Sequence, residues 1–284
     1  MKPSDARPRP TGAGKAIVIQ VAAAALVLMS LAPFGWMLST ALKSDGEVFA
    51  KPPTLLPQDP TWGHFEKLFA GTNFLAYFRN SLVIAGWVLL LTMVVASPGA
   101  YSLARFRYRG RDQIAVAVLM VYMLAPITII IPFFLVFRQL GLANTHLALV
   151  VAQVAFCFPF ALWLLRSFFL EIPFEYEEAA LIDGAGRIRA ILHIVVPLAL
   201  PGVIATGVFT FILSWNDFIF ARVLITSDRL KTLPVGIQDL YFSTVLDWGM
   251  FMAAGTMVTL PVLVFFLFVQ RYLIAGWGTG GIKA

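Results

Sequence analysis

Few residues of this chain have chemistry that a reaction could use, and their spacing argues against catalysis. The three histidines, His64, His146 and His193, share no metal-ligand spacing, and the single cysteine, Cys157, lies between Phe156 and Phe158 inside an apolar run. One thiol forms neither a disulfide framework nor a Cys-based metal site, so Cys157 reads as a small buried hydrophobe. The string Thr11-Gly12-Ala13-Gly14-Lys15-Ala16 carries only the end of a phosphate-binding loop. It lacks the first glycine, has Ala16 where the magnesium-binding Ser/Thr belongs, and follows no strand, so it holds no nucleotide. A membrane enzyme would need convergent acids, histidines or a metal set. The sequence shows none, and no catalytic residue and no metal site is assigned.

Two polar groups remain. Asp217, beside Asn216, interrupts an apolar run, and Gln153 interrupts another. Ionisable groups at membrane depth are costly and default to function. Asn216, Asp217 and Gln153 are therefore candidates to line a solute path. The competing explanation is a helix–helix hydrogen bond, or an acid that already reaches outer water. The second group is the stretch Glu171-Ile172-Pro173-Phe174-Glu175-Tyr176-Glu177-Glu178-Ala179-Ala180-Leu181-Ile182-Asp183-Gly184-Ala185-Gly186. Pro173 suits a first turn, and Glu175, Glu177 and Glu178 oppose the positive end of a helix dipole. Gly184 suits a left-handed C-terminal cap, which glycine adopts cheaply. An amphipathic stretch from Arg187 to Val196 then leads to Pro197. The spacing predicts a short helix, a glycine turn and a second helix. Ala179, Ala180, Gly184 and Ala185 leave little bulk at the tip, so a partner surface can approach the backbone. The alternative is an amphipathic loop lying on lipid headgroups.

The elements that must position these groups are set by composition. Of 284 residues, 60% are hydrophobic and only 13% charged, against about a quarter charged in soluble domains. The mean hydropathy is +0.84. The formal net charge is +6, but the basic residues sit at the ends of apolar runs and form no stripe, so membrane topology explains the charge better than a nucleic-acid partner, and none is expected. A spanning helix needs about 20 mostly apolar residues. Six segments qualify, at about 16–40, 81–104, 114–137, 147–170, 198–221 and 249–269. The first is too long for a signal-peptide core and lacks a cleavage site, so it reads as an uncleaved span. The fold class is an all-α polytopic membrane protein.

Orientation follows from the basic residues near the span ends. Lys2, Arg7, Arg9 and Lys15 precede the first span, and Arg105-Phe106-Arg107-Tyr108-Arg109-Gly110-Arg111 places four arginines in seven residues between the second and third. With six spans, both termini and the 171–197 loop are cytoplasmic, and 41–80, 138–146 and 222–248 lie outside. Lys51-Pro52-Pro53, Pro57 and Pro60 make 41–80 an ordered but irregular connector, with a short interfacial helix at 61–70. Pro98, Pro126, Pro132, Pro159, Pro201 and Pro261 fall within spans and invite kinks that suit transport.

The loop carries a resemblance. Glu178-Ala179-Ala180, three residues, Gly184, nine residues, then Ile194-Val195-Val196-Pro197 resembles the EAA loop of binding-protein-dependent ABC importer permeases, with Val196 where that family has Leu. Ser214-Trp215-Asn216-Asp217-Phe218 and the carboxyl-terminal Gln270-Arg271-Tyr272 with Gly276 and Gly280-Gly281-Ile282-Lys283-Ala284 resemble the carbohydrate-importer, maltose-permease G-type group, and Ser39-Thr40-Ala41-Leu42-Lys43 is a looser match. The resemblance implies a cytoplasmic tail at 1–15 and an importer transmembrane domain over 16–284. It implies that the 174–186 helix couples the chain to a dimer of ATPase subunits through Glu178, Ala179, Ala180, Asp183, Gly184 and Ala185. It further implies no cofactor in this chain, with ATP and magnesium on the ATPase. The expected partners are a second, related permease, an extracytoplasmic solute-binding protein and the bilayer of a prokaryotic plasma membrane. On this reading the Asn216 and Asp217 pair would meet sugar hydroxyls, with Gln153 a further residue of the path. The alternative is an ion-coupled secondary transporter or channel, which would want inverted repeats and buried titratable groups. The sequence has no clear internal repeat, and only Asp217 is an ionisable candidate.

Overall fold

The protein is described by a computed structural model covering residues 13–123, 126–242 and 247–278. The tail residues Lys2, Arg7 and Arg9 and the terminal Gly280-Gly281-Ile282-Lys283-Ala284 lie outside the described residues. Every regular element among the described residues is helical.

Among the described residues, five helices are long and apolar enough to cross a bilayer: the Ile17–Ala41 part of Ala13–Ala41, Phe74–Arg105, His146–Glu171, Arg187–Trp215 and the Trp248–Leu267 part of Trp248–Gly278. The sixth expected crossing, 114–137, differs from expectation. It is a pair of helices, Arg111–Tyr122 and Pro126–Gln139, whose axes differ by 91°. Pro126 heads the second of them. Its fixed φ and missing N–H suit a first helical position but not the interior of a continuous helix. Counting the bent pair as one span gives six.

The fifth span also differs at both ends. The expected second loop helix and the span are one continuous rod from Arg187 to Trp215, joined by a π-helical turn at Ile191–Val195. Pro197 has no N–H to return to the preceding turn, and the wider turn, in which the Val196 N–H reaches the Ile191 carbonyl, absorbs that loss. At the far end the rod stops at Trp215. Asn216 and Asp217 therefore lie beyond the helix, not inside a span reaching 221, and a separate short helix, Ile219–Leu224, follows.

The chain divides into two compact units, Met1–Ala70 with Asp247–Thr256, and Gly71–Leu246 with Met257–Ala284. In the larger unit, Phe74–Arg105 packs on His146–Glu171 and on Val196–Trp215. Membrane helices gain little from hydrophobic exclusion and depend on close approach at small residues. A Cβ on Gly202 would stand 2.2 Å from the Phe168 ring, and one on Gly99 would stand 2.8 Å from Leu162. Ala96, Ala100, Ala161 and Ala199 continue this small-residue interface, with Leu162, Leu165 and Phe169 filling it.

In the smaller unit, the 18-residue apolar window of the first span buries none of its residues, as fits a helix whose surroundings are lipid or another chain. The connector after it is ordered by side-chain bonds to its backbone. Ser39 Oγ donates to the Leu55 carbonyl, and the buried Lys43 Nζ donates to the Thr54 carbonyl while lying 4.6 Å from the Trp36 ring centroid. A short helix, Gly63–Gly71, stands where one is expected at 61–70.

Candidate coupling loop and polar cluster

The loop helix runs Glu175–Ile182, one residue beyond Phe174, with Glu175, Glu177 and Glu178 in its first turn. It ends in two reciprocal backbone bonds: Ala185 N–H to the Ala180 carbonyl at 3.0 Å and Gly184 N–H to the Leu181 carbonyl at 3.1 Å. That pattern is a Schellman ending, which requires a left-handed residue after the cap. Gly184 supplies it with φ +83°. A Cβ there would meet nothing within 4 Å, so the glycine is needed for its backbone and not for space.

The helix has two unlike faces. Glu178, Ala179, Asp183 and Gly184 are exposed, Ala185 is half-buried, and Ile182, at 85% exposure, stands at the tip. Ala180 is buried and packs inward, so it is not part of the small-residue surface expected from the sequence. Beside it on the inner face is Glu177, which the sequence marked only as a helix-dipole partner.

Glu177 is the centre of a buried network. Tyr101 Oη donates to its Oε1, and Arg105 Nε lies 3.4 Å from its Oε2, with both charged side chains almost fully covered. Arg105 also donates through Nη2 to the Ile172 carbonyl at 2.9 Å, and its guanidinium lies 5.6 Å from the Phe174 ring centroid. Tyr101 is held edge-on by Phe106 and Phe169. The loop helix is thus fastened to the end of the Phe74–Arg105 helix by an ion pair and a phenol, and Ile172, which leads into it, by a backbone bond. Only the four-arginine run at 105–111 hinted at this arrangement.

The second polar group is a cluster at the break after Trp215. Gln153 donates through Nε2 to Asp217 Oδ2 at 2.8 Å and accepts from Ser214 Oγ. The Asp217 carboxylate also accepts from the Phe220 and Ala221 amides at 3.3 and 3.1 Å. These amides are the orphan donors at the start of the Ile219–Leu224 helix. By capping them, Asp217 ends one helix and starts the next, which is why the apolar run does not continue as a single span. Asn216 is exposed and donates through Nδ2 to the Ile212 carbonyl at 2.9 Å. The structure thus brings Gln153 and Asp217 together and leaves the Asn216 side chain outside their network. Ser214 is the member that the sequence did not single out for its side chain.

Residues 75–277, which include both groups, match the family described as binding-protein-dependent transport system inner membrane component. The inner membrane ABC transporter permease protein YcjP of Escherichia coli (strain K12) is 37% identical over 262 residues, 92% of this chain and 94% of that one. The trehalose/maltose transport system permease protein MalG of Thermococcus litoralis is 33% identical over 274 residues, 95% of this chain and 97% of that one. A solved chain from a bacterial ABC transporter involved in the import of the acidic polysaccharide alginate has the same fold, with a TM-score of 0.79 at 23% identity over 94% of this chain and 99% of that one. These matches decide between an importer permease and an ion-coupled carrier. The chain belongs to the binding-protein-dependent transport system inner membrane components and is a membrane-spanning permease subunit of an ABC importer.

Proposed function

We propose that this permease forms, with a second related permease, the path for a sugar or related solute delivered by an extracytoplasmic solute-binding protein, and that its Glu175–Ile182 helix receives the motion of a pair of ATPase subunits. The observation that carries the coupling reading is the two-faced loop. Its inner face is locked to a spanning helix through Glu177 and Arg105, while its outer face presents Ile182 beside the open backbone at Gly184. A rigid joint with an uncovered apolar tip suits a part that is pushed by another protein. Glu178, Ala179, Asp183, Gly184 and Ala185 would meet the ATPase, and Ala180 would hold the helix to its own chain. ATP and magnesium belong on that ATPase.

A sugar substrate is supported by the trehalose/maltose transport named for the Thermococcus litoralis relative. Within the path, Asn216 offers an exposed carboxamide, and Asp217 with Gln153 holds the helix break that presents it. The arginines at 105–111 support an orientation with both termini and the 171–197 loop in the cytoplasm of a prokaryote.

The test is to purify the tagged chain gently from its membrane, identify what accompanies it, and then reconstitute the complex with Gly184→Trp. An ATPase, a second permease and a binding protein should co-purify, and the variant should insert normally but hydrolyse ATP without matching transport. Recovery of the chain alone, or normal transport by Gly184→Trp, overturns the reading.

A further inference from the structure

Away from both regions just described, the smaller unit contains a buried imidazole with no hydrogen-bond partner. His64 is 2% exposed, and neither Nδ1 nor Nε2 makes a hydrogen bond. Buried polar atoms are nearly always satisfied, so an orphaned ring between charged groups calls for an explanation. Nδ1 points between two carboxylates, 3.6 Å from Asp45 Oδ1 and 3.4 Å from Asp247 Oδ1. Both distances exceed an ordinary hydrogen bond. They fit the edge of a coordination tetrahedron, because ligands at about 2.0–2.1 Å from a zinc ion stand about 3.4 Å apart. One donor atom from each of Asp45, His64 and Asp247 lies within 4.8 Å of the others.

The surroundings resemble the outer shell of such a site. Lys67 Nζ donates to Asp45 Oδ1 and Oδ2 at 3.0 and 2.8 Å and lies 3.5 Å from Asp247 Oδ2, so it bridges the two acids. The Met250 amide donates to Asp247 Oδ1 at 2.9 Å and fixes that carboxylate at the start of the last helix. Partners of this kind orient metal ligands. Space for the ring is provided by Gly249, where a Cβ would stand 2.0 Å from His64 Nε2. The Asp45 side chain is 70% exposed, which gives an ion a way in and leaves a position for water.

We propose that Asp45, His64 and Asp247 bind a divalent transition-metal ion of the zinc class, which fastens the start of the last spanning helix to the connector after the first. An imidazole with two carboxylates suits zinc, whereas calcium and magnesium favour all-oxygen shells. Nothing in this proposal depends on which solute the importer carries.

The test uses the purified importer complex in lipid nanodiscs, stripped with a chelator and titrated with zinc sulfate. Wild type should take up one zinc per copy of this chain and melt at a higher temperature with zinc than without. Asp45→Asn and Asp247→Asn should each weaken that binding by at least the roughly tenfold that loss of even an outer-shell partner brings. Both variants should fold, since Asp45 is exposed and Asn at 247 can still accept from the Met250 amide. Cobalt(II) should give the visible bands of a tetrahedral ion in wild type but not in His64→Ala. Zinc binding that is absent, unchanged in both Asn variants, or matched by calcium overturns the proposal.

Discussion

The Glu177 and Asp217 carboxylates are both drawn into the helix bundle, near opposite ends of the Phe74–Arg105 helix, and they are stabilised by different means. Glu177 faces a guanidinium and a phenol, and its charge is neutralised by Arg105. Among the described residues, the donors to Asp217 are neutral, the Gln153 amide and two backbone N–H groups. A buried ion pair is expensive to break, because the surviving partner is left charged in a low-dielectric site. A carboxylate satisfied by dipoles loses one bond when one donor is removed and keeps the rest. The first arrangement makes a stiff joint between helix and loop, and the second makes a bend that positions its neighbours.

The largest expected effect tests the joint. Arg105→Ala should destabilise the protein by about 3–5 kcal/mol, since Glu177 is left buried without its cation. Thermal unfolding of the purified chain measures this. Combining Arg105→Met with Glu177→Met should be less destabilising than either single change, because no charge is then stranded. Additive losses in the double variant would show that the pair is not the source of the rigidity.

Gln153→Leu should cost less, about 1–3 kcal/mol. It removes the donor to Asp217 Oδ2 and the acceptor for Ser214 while keeping side-chain volume, and two amide bonds to Asp217 survive. The same unfolding measurement ranks it against Arg105→Ala. A loss equal to that of Arg105→Ala would erase the distinction between the two carboxylates.

Gly184 sharpens the comparison differently, because nothing crowds it. With φ at +83° and open space around a Cβ, Ala should cost only the left-handed penalty of about 1–2 kcal/mol, and Asn, which visits that conformation more readily, should cost less. Limited proteolysis of the loop should rank Gly, Asn and Ala in order of rising sensitivity. Equal sensitivity of all three would mean that the Schellman ending does not govern the loop.

These residues also show what a sequence can reveal. Apolar runs of spanning length are local and legible, and 147–170 corresponds to the helix His146–Glu171. Gly184 was legible for the same reason, since the demand for positive φ is met at a single residue. The bend at Pro126 was not, because a run of apolar side chains looks alike on a straight helix and on two bent ones. Glu177 was hidden because its burial depends on Tyr101 and Arg105, more than 70 residues away in the chain. Asp217 was placed inside a span because its neighbours are apolar. Its capping of Phe220 and Ala221 appears only once the backbone has turned.

A third carboxylate, outside the spans, sets the lower limit of the comparison. Asp228 accepts from Tyr77 Oη and Lys231 Nζ, each at 2.9 Å, and from Asn73 Nδ2 at 2.7 Å. The hydrogen bond from Lys231, with those from Tyr77 and Asn73, holds this carboxyl below its ordinary value of 3.8. A carboxyl depressed in the folded state contributes its stability in full above the unfolded value, and that contribution fades as pH falls through the folded one. Protection of the amides around residues 228–231 from hydrogen exchange should therefore be unaffected by this group between pH 7 and pH 5, and should weaken only below about 3.8. The side chain is 53% exposed, so screening limits the effect to under about 1 kcal/mol. Asp228→Asn should remove the acid-dependent part. A loss of protection already complete at pH 5 would mean that the carboxyl is not held ionised by these donors, and Asp228 would then no longer serve as the exposed counterpart to Glu177 and Asp217.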